Sequence, residues 1–558
     1  MCNSVKDKTN QLKIFDDSEW RYILLLSLFY ICAHWLVIVV FGTWWDDWCA
    51  YNISDKDLIE WAFSSGRPDT FYLTRFCQMF PWGYKLLVFL MYYFGMLFFY
   101  RIIRATVSLE DVECFWISAI YATLPVYDAR IQLLGFPYVF GLFLFLFAFY
   151  LLTVFVGKND EWQIIWLILL RTVILFLFFF SFILNSNLVF YALPLLYLIY
   201  IFRIRVIRFF DFVMLPIVFW LIKVLCFPVY GIYKDYNLVS VKRLVHALVN
   251  LLPEEIYVMR NITVALFGEL KVVVFSVVAV FFVFFIEKKY LHGWGSILNK
   301  FHSNLKKDMI LLCIGIVSLG MGIFAYLAVG SSNISVFAFA GRYAVLTPIG
   351  ASLMIYAVVD MFFNSESKGF ICLLVVLAGI ISINLAYLEY QRDYFRQLAF
   401  QKQLEIRSEL SDKKNIICLM EDDILSSIRF YTLNANAECV YGNQTRMIMN
   451  GVTDYKWLLF ENSEKLDYFA SRDGYHMKEY DVSYKKIDAF ITYPGVIRRK
   501  DEIKLLFYYM TDRERFDEWL TNNSKMEVIL PGTKKYDFLL EEVEDYYEID
   551  NGSLYTDF

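Results

Sequence analysis

The chain has 558 residues, 59% of them hydrophobic and 19% aromatic against 20% charged, with a formal net charge of −5. That much apolar surface cannot be hidden in one soluble core, so the composition is that of a polytopic membrane protein. Without a basic stripe or a nucleic-acid motif a nucleic-acid partner is set aside, and ten cysteines without a CxxC pair give no support to zinc or thioredoxin-like chemistry.

In chain order, apolar runs near 22–41, 84–100, 112–127, 136–156, 163–184, 188–202, 209–228, 272–286, 309–329, 343–363 and 370–389 predict a bundle of about 11 transmembrane helices. The first run is longer than a signal-peptide core and ends in tryptophans instead of small residues, so it is expected to stay attached as an anchor. Alternate loops carry Arg101 and Arg104, Lys158, Arg203 to Arg208, Lys288 to Lys307, and Lys368. Basic loops stay in the cytoplasm, which puts the N-terminus inside and the C-terminal segment outside. Arg171, within the fifth run, either marks its cytoplasmic edge or faces a polar cavity.

The opposite loops hold the residues that suggest chemistry. Asp46 and Asp47, inside Trp44-Trp45-Asp46-Asp47-Trp48, stand where the first run ends. Carboxylates beside a bilayer are costly unless they face water, a cation or a substrate, and one of them is placed to act as a general base toward a hydroxyl. An N-cap or loop ion pair explains them equally well, and indoles collect at interfaces for their own reasons. Arg67, in Ser65-Gly66-Arg67-Pro68, lies at a turn that can present a guanidinium fork to a phosphate or a carboxylate, although a solvated loop Arg explains it somewhat better by itself. Asp128 and Arg130 open the second outer loop, where a lone Asp also serves as a helix cap. Residues 241–249 form an amphipathic pattern suited to the interface, and Lys234 nearby is a candidate phosphate contact. Arg342 and Tyr343 precede the tenth run, where an Arg suits an anionic head group or simply snorkels to lipid.

Beyond Tyr390 the composition changes. A helix is expected to continue over 388–410, followed by β-prone runs at 415–420, 455–460, 487–493 and 526–530, a helical pattern near 501–520 and an acidic tail at 541–550. This divides the chain into a membrane domain, 1–392, and a small α/β domain, 393–558, on the outer face. Cys49 with Cys77, and Cys418 with Cys439, share a predicted side, and spacing decides neither pairing.

The Asp pair after the first span, the acid in the second outer loop, Arg342-Tyr343 with Pro348 beyond, and Asp46-Asp47-Trp48 followed by Gly66-Arg67-Pro68 together resemble the GT-C superfamily of membrane glycosyltransferases. The closest likeness is to bacterial members of the GtrII-like type that decorate surface polysaccharides. The resemblance covers about 1–390 and implies an inverting transfer from a polyprenyl-phosphate-linked sugar to a cell-surface glycan or glycolipid. Asp46 or Asp47 would be the base and Asp128 a second acid. Arg67, Arg130, Lys234, Arg342 and Tyr343 would bind substrate. A divalent cation (Mg or Mn) would rest on Asp47 and Asp128, and the location would be a bacterial inner membrane. The alternatives are a transporter or flippase, or a polymerase, of lipid-linked saccharides; a transporter would place charge deep in its spans.

Overall fold

The computed structural model describes residues 17–51, 53–107, 109–126, 128–158, 163–202, 209–234, 239–250, 270–286, 305–329, 339–363, 365–419, 430–442, 446–451, 487–493, 497 and 501–549. Its helices, in order, are α1 (Asp17–His34), α2 (Asp47–Ala50), α3 (Asp55–Ser64), α4 (Asp69–Met79), α5 (Pro81–Thr106), α6 (Asp111–Thr123), α7 (Phe136–Lys158), α8 (Ile164–Ser181), α9 (Asn185–Phe190), α10 (Ala192–Phe202), α11 (Phe210–Cys226), α12 (Leu270–Ile286), α13 (Leu305–Leu327), α14 (Thr347–Phe362) and α15 (Ser365–Ile406). After these come β1 (Asn415–Leu419), α16 (Phe430–Tyr441), β2 (Met447–Asn450), β3 (Ala489–Thr492), α17 (Glu502–Thr511), α18 (Arg513–Asn523), β4 (Val528–Ile529) and α19 (Lys534–Ile549). The chain falls into two compact units, one of residues 1–40 with 62–387 and one of 41–61 with 388–558.

In the first unit, six described helices are long and apolar enough to cross a membrane: Glu19–Val39, Pro81–Thr106, Leu133–Gly157, Ile164–Ser181, Leu305–Leu327 and the start of Ser367–Ile406. This is the helical architecture of a membrane protein. The other predicted spans are helical but short. α6, with 13 residues, reaches only about 20 Å at 1.5 Å per residue, against a hydrocarbon core of about 30 Å. All but its first residue are buried, so its uniform hydrophobicity reflects a core position. α11 has 17 residues with Pro216 inside it, and α9 and α10 split one apolar run at Tyr191. α13 and α14 pack closely because both present glycine: a Cβ on Gly350 would lie 2.4 Å from the Leu319 backbone nitrogen, the small-residue contact by which membrane helices associate.

One end of this unit carries a buried ionic network. Glu19 of α1 bonds Arg101 and Arg104 of α5, each at 2.8 Å, and Arg104 continues to Asp111 at the start of α6. Two residues on, Glu113 pairs with Lys307 of α13, Lys307 reaches Asp360 of α14 at 3.4 Å, and Asp360 pairs with Lys368 of α15. Charges that the sequence offers as cytoplasmic markers are therefore held inside the helix ends, where each needs its partner to offset desolvation. Arg171 makes a bidentate pair with Asp211 of α11, Nε to Oδ2 at 2.7 Å.

The second unit is built on a four-stranded sheet of order β2-β1-β3-β4, parallel except for β4. Ile416, Cys418, Ile448, Ala489 and Ile491 share a core with Phe400 and Leu404 of α15. On the opposite face Ile417, Met449 and Phe490 are also buried, Phe490 against Tyr536 of α19. Burial on both faces gives the continuous apolar runs expected of parallel strands. β1, β3 and β4 fall within predicted β-prone runs, β2 was not foreseen, and the run at 455–460 lies outside the described residues. The helical pattern at 501–520 breaks at Asp512, extended at φ −152°, ψ 86°, whose carboxylate accepts the Arg515 amide and caps α18. Cys49, Cys77, Cys418 and Cys439 are all thiols, so neither candidate disulfide is formed.

Candidate functional site

In the second unit the segment around Asp46 and Asp47 is clamped to the stretch of α15 that follows its apolar run. The Phe41 amide donates to Gln391 Oε1 at 2.9 Å, the Trp44 indole to the Tyr390 carbonyl at 2.8 Å, and the Trp48 indole to Gln397 Oε1 at 2.7 Å. Trp44 and Trp48 are buried, so these indoles act as fasteners, which interfacial enrichment alone does not convey. Only glycine fits at position 42: its φ is +155°, and a Cβ would fall 2.5 Å from Trp44 and 2.7 Å from Tyr394. Trp45 holds a left-handed φ of 51°, a conformation that costs a non-glycine residue about 1–2 kcal/mol.

This tight turn sets the two carboxylates apart. Asp46 occupies the cap position of α2 without a side-chain cap bond and is half-buried, whereas Asp47, the first residue of α2, is 4% exposed. α2 packs against α16. A third carboxylate stands close by: Gln397, which receives the Trp48 indole, donates through Nε2 to Asp393 at 3.1 Å. Asp393 is itself buried. Sequence reasoning missed Asp393 because it falls in a mixed charged and apolar helix and reads there as part of a solvated face. Its i, i+4 spacing to Gln397, on the side of α15 that receives the indoles, was the available signal.

In the first unit the other predicted residues separate into two environments. Gly66, at φ +66°, turns the chain so that Arg67 meets Asp69 in a two-pronged pair, Nη2 to Oδ2 at 2.8 Å and Nε to Oδ1 at 3.2 Å. Burial disfavours the charge, but Asp69 outweighs it and raises the guanidinium's pKa above its ordinary value, so Arg67 is a fixed cation. The Tyr230 amide donates to the Ser64 carbonyl, which brings the 227–230 segment beside this turn, and Lys234 beyond it is exposed.

Arg342 lies over the Tyr343 ring at 4.4 Å and donates to its hydroxyl at 2.8 Å. Tyr343 in turn packs on Tyr326, at the end of α13, with ring centroids 4.8 Å apart, and the Tyr326 hydroxyl shares a 3.3 Å hydrogen bond with Ser186. Both Arg67 and Arg342 lie within electrostatic reach of that hydroxyl. The turn 128–131, with Asp128 at its start, packs against the turn 339–344 that carries Arg342, and Ala247 of the helical stretch 241–250 packs against Ala344 and Leu327. Arg67, Arg342, Tyr343 and the Asp128 turn are thus gathered at one end of the helices.

Arg130 points elsewhere. It is 1% exposed and sits 4.0 Å over the Tyr92 ring, in an aromatic interior shared with Tyr121 and His34. His34 donates from Nε2 to the Ala122 carbonyl at 2.8 Å, which leaves Nδ1 to accept the Tyr387 hydroxyl. The stacked guanidinium ties the 128–131 turn to α5 through Tyr92. The gathered residues and the ionic network lie at opposite ends of α6, since Asp111 and Glu113 begin that helix and Asp128 follows its end. Among the described residues no three His, Cys, Asp or Glu come together as a metal-holding group. Comparison with protein-family models and with curated proteins returns no match.

Proposed function

We propose that this membrane protein is a GT-C-like glycosyltransferase that moves a sugar from a polyprenyl-phosphate donor to a cell-surface glycan or glycolipid on the outer face. The observation that carries this reading is the Arg342 guanidinium stacked on Tyr343, which packs on Tyr326, with Arg67 within electrostatic reach of the Tyr326 hydroxyl, at the helix ends opposite the buried ionic network. Fixed guanidinium groups with tyrosine hydroxyls suit a phosphate whose negative charge grows as the glycosidic bond breaks. If the network end is cytoplasmic, as the loop charges suggest, the arginine end faces outward, where a lipid-linked donor is the available form of activated sugar.

The chemistry then needs a base for the acceptor hydroxyl. The resemblance assigns that role to Asp46 or Asp47, two carboxylates of the second unit that differ in burial, since a positioned Asp is suited to taking a hydroxyl proton. The hydroxyl oxygen attacks the anomeric carbon as its proton passes to the carboxylate, and the polyprenyl phosphate leaves with the bonding pair. A divalent cation on Asp47 or Asp128 is a separate proposal, read from activity with and without Mg²⁺ and Mn²⁺.

Donor recognition is tested with the purified protein in nanodiscs by titrating polyprenyl-phosphate hexose and following tryptophan fluorescence. We expect saturable binding that weakens by about 10-fold or more in Arg342→Gln and in Arg67→Gln, the loss of a charged phosphate contact being worth about 1.5–3 kcal/mol. Equal affinity in all three proteins would remove the arginine site.

A further inference from the structure

We infer that α17 is an interfacial helix that seats the C-terminal α/β unit on the lipid surface. Its sequence, Glu502-Ile-Lys-Leu-Leu-Phe-Tyr-Tyr-Met-Thr511, is two-sided. Leu505 and Leu506 are buried in the unit, while Ile503, Phe507 and Met510, spaced i, i+4 and i+7, are 50%, 62% and 54% exposed. Three large apolar side chains in one stripe form a contiguous patch of the kind that marks interaction surfaces, and an apolar stripe of this kind is how helices lie in a bilayer interface.

The occupant follows from where α17 is tied. Tyr509, on its inner side, packs against Phe41 at 6.1 Å, Tyr394 at 6.2 Å and Phe395 at 5.4 Å between ring centroids. Phe41 is the residue at which the first apolar run ends, and Tyr394 and Phe395 come five and six residues after the last run ends at position 389. One ring thus touches both places where the chain leaves its membrane segments. The start of α17 is pinned at the same level, because Glu502 accepts from Arg392, three residues past that run, at 2.8 Å. Along a helix those three to six residues amount to about 5–9 Å, so α17 lies at head-group depth. Lys504 beside the stripe, and Arg513, stacked 3.6 Å over Tyr509, place cations where phosphate groups are.

The inference holds whether or not the chain transfers sugar, and it is tested independently. The full-length protein is reconstituted in nanodiscs containing a phospholipid with a diazirine on an acyl carbon next to the glycerol, irradiated, and its adducts mapped by mass spectrometry. We expect lipid adducts on the peptide covering 502–511, reduced at least 5-fold in Ile503→Gln/Phe507→Gln/Met510→Gln and at least 2-fold in Phe507→Ser. A peptide free of adducts while α5 and α7 are labelled would overturn it. So would replacement of lipid adducts by crosslinks between copies of the chain, which would make the stripe a dimer contact.

Discussion

Asp47 is enclosed and Asp46 half open, although they are neighbours, because Asp46 caps α2 and Asp47 is its first residue, and successive helical positions point about 100° apart. Residue-scale surroundings also fix the chemistry of Cys418. Burial in the sheet core raises its thiol pKa well above the ordinary value, so the native state keeps a proton that the unfolded chain releases above about pH 8.5. Stability of the α/β unit therefore falls as pH rises past that point, and none is lost below it. In the folded protein at pH 8.5 Cys418 should resist iodoacetamide by at least 10-fold relative to the unfolded chain, measured by peptide mass spectrometry; equal rates would show the core to be open. The Asp pair and Arg342 stand out in the sequence because of their residue types and their positions at run ends. The sequence could not distinguish Arg130, which belongs to the same polar stretch as Asp128 but turns inward onto Tyr92.

At the scale of elements, α15 is the principal organiser of the second unit. It leaves the apolar run without a break and lends Tyr390, Gln391 and Gln397 to the 41–48 segment, then Phe400 and Leu404 to the sheet. Removing the Trp44 ring deletes a fully buried aromatic and its hydrogen bond, a change of about 3–5 kcal/mol. We expect Trp44→Ala to lower the thermal midpoint of the purified protein by several degrees and Gln397→Leu to do so less; no shift in either would mean the clamp does not hold. The helical continuation over 388–410 was legible from its period. Its buried polar face was not, since periodicity reports a helix but not which partner will cover it. Hydropathy has a related limit: it scores a buried core helix such as α6 and a lipid-facing helix alike.

At the scale of the whole molecule the first unit stands out, because its charge is arranged by helix ends. Glu113, Lys307, Asp360 and Lys368 are locked together at one end, and Arg67 and Arg342 gather at the other. Breaking a buried network by removing one member leaves uncompensated charge, worth about 3–5 kcal/mol. Asp360→Ala, which removes the carboxylate that Lys368 pairs with and one of the carboxylates around Lys307, should destabilise the protein by that order in detergent unfolding, and paired replacement of Asp360 and Lys368 by leucine should recover part of it; an unchanged midpoint in Asp360→Ala would show that the network adds nothing.

The proposed transfer reaction is tested most directly by assaying it. Purified protein is supplied with radiolabelled polyprenyl-phosphate hexose and a panel of envelope glycans and glycolipids, and labelled product is counted for the native chain, Asp46→Asn and Asp47→Asn. We expect inverted product from the native chain and a loss of about 10²–10⁴-fold in at least one variant, the range for removing a general base. Full activity in both variants, or passage of the donor across the bilayer with its glycosidic bond intact, would contradict a glycosyltransferase built on this pair.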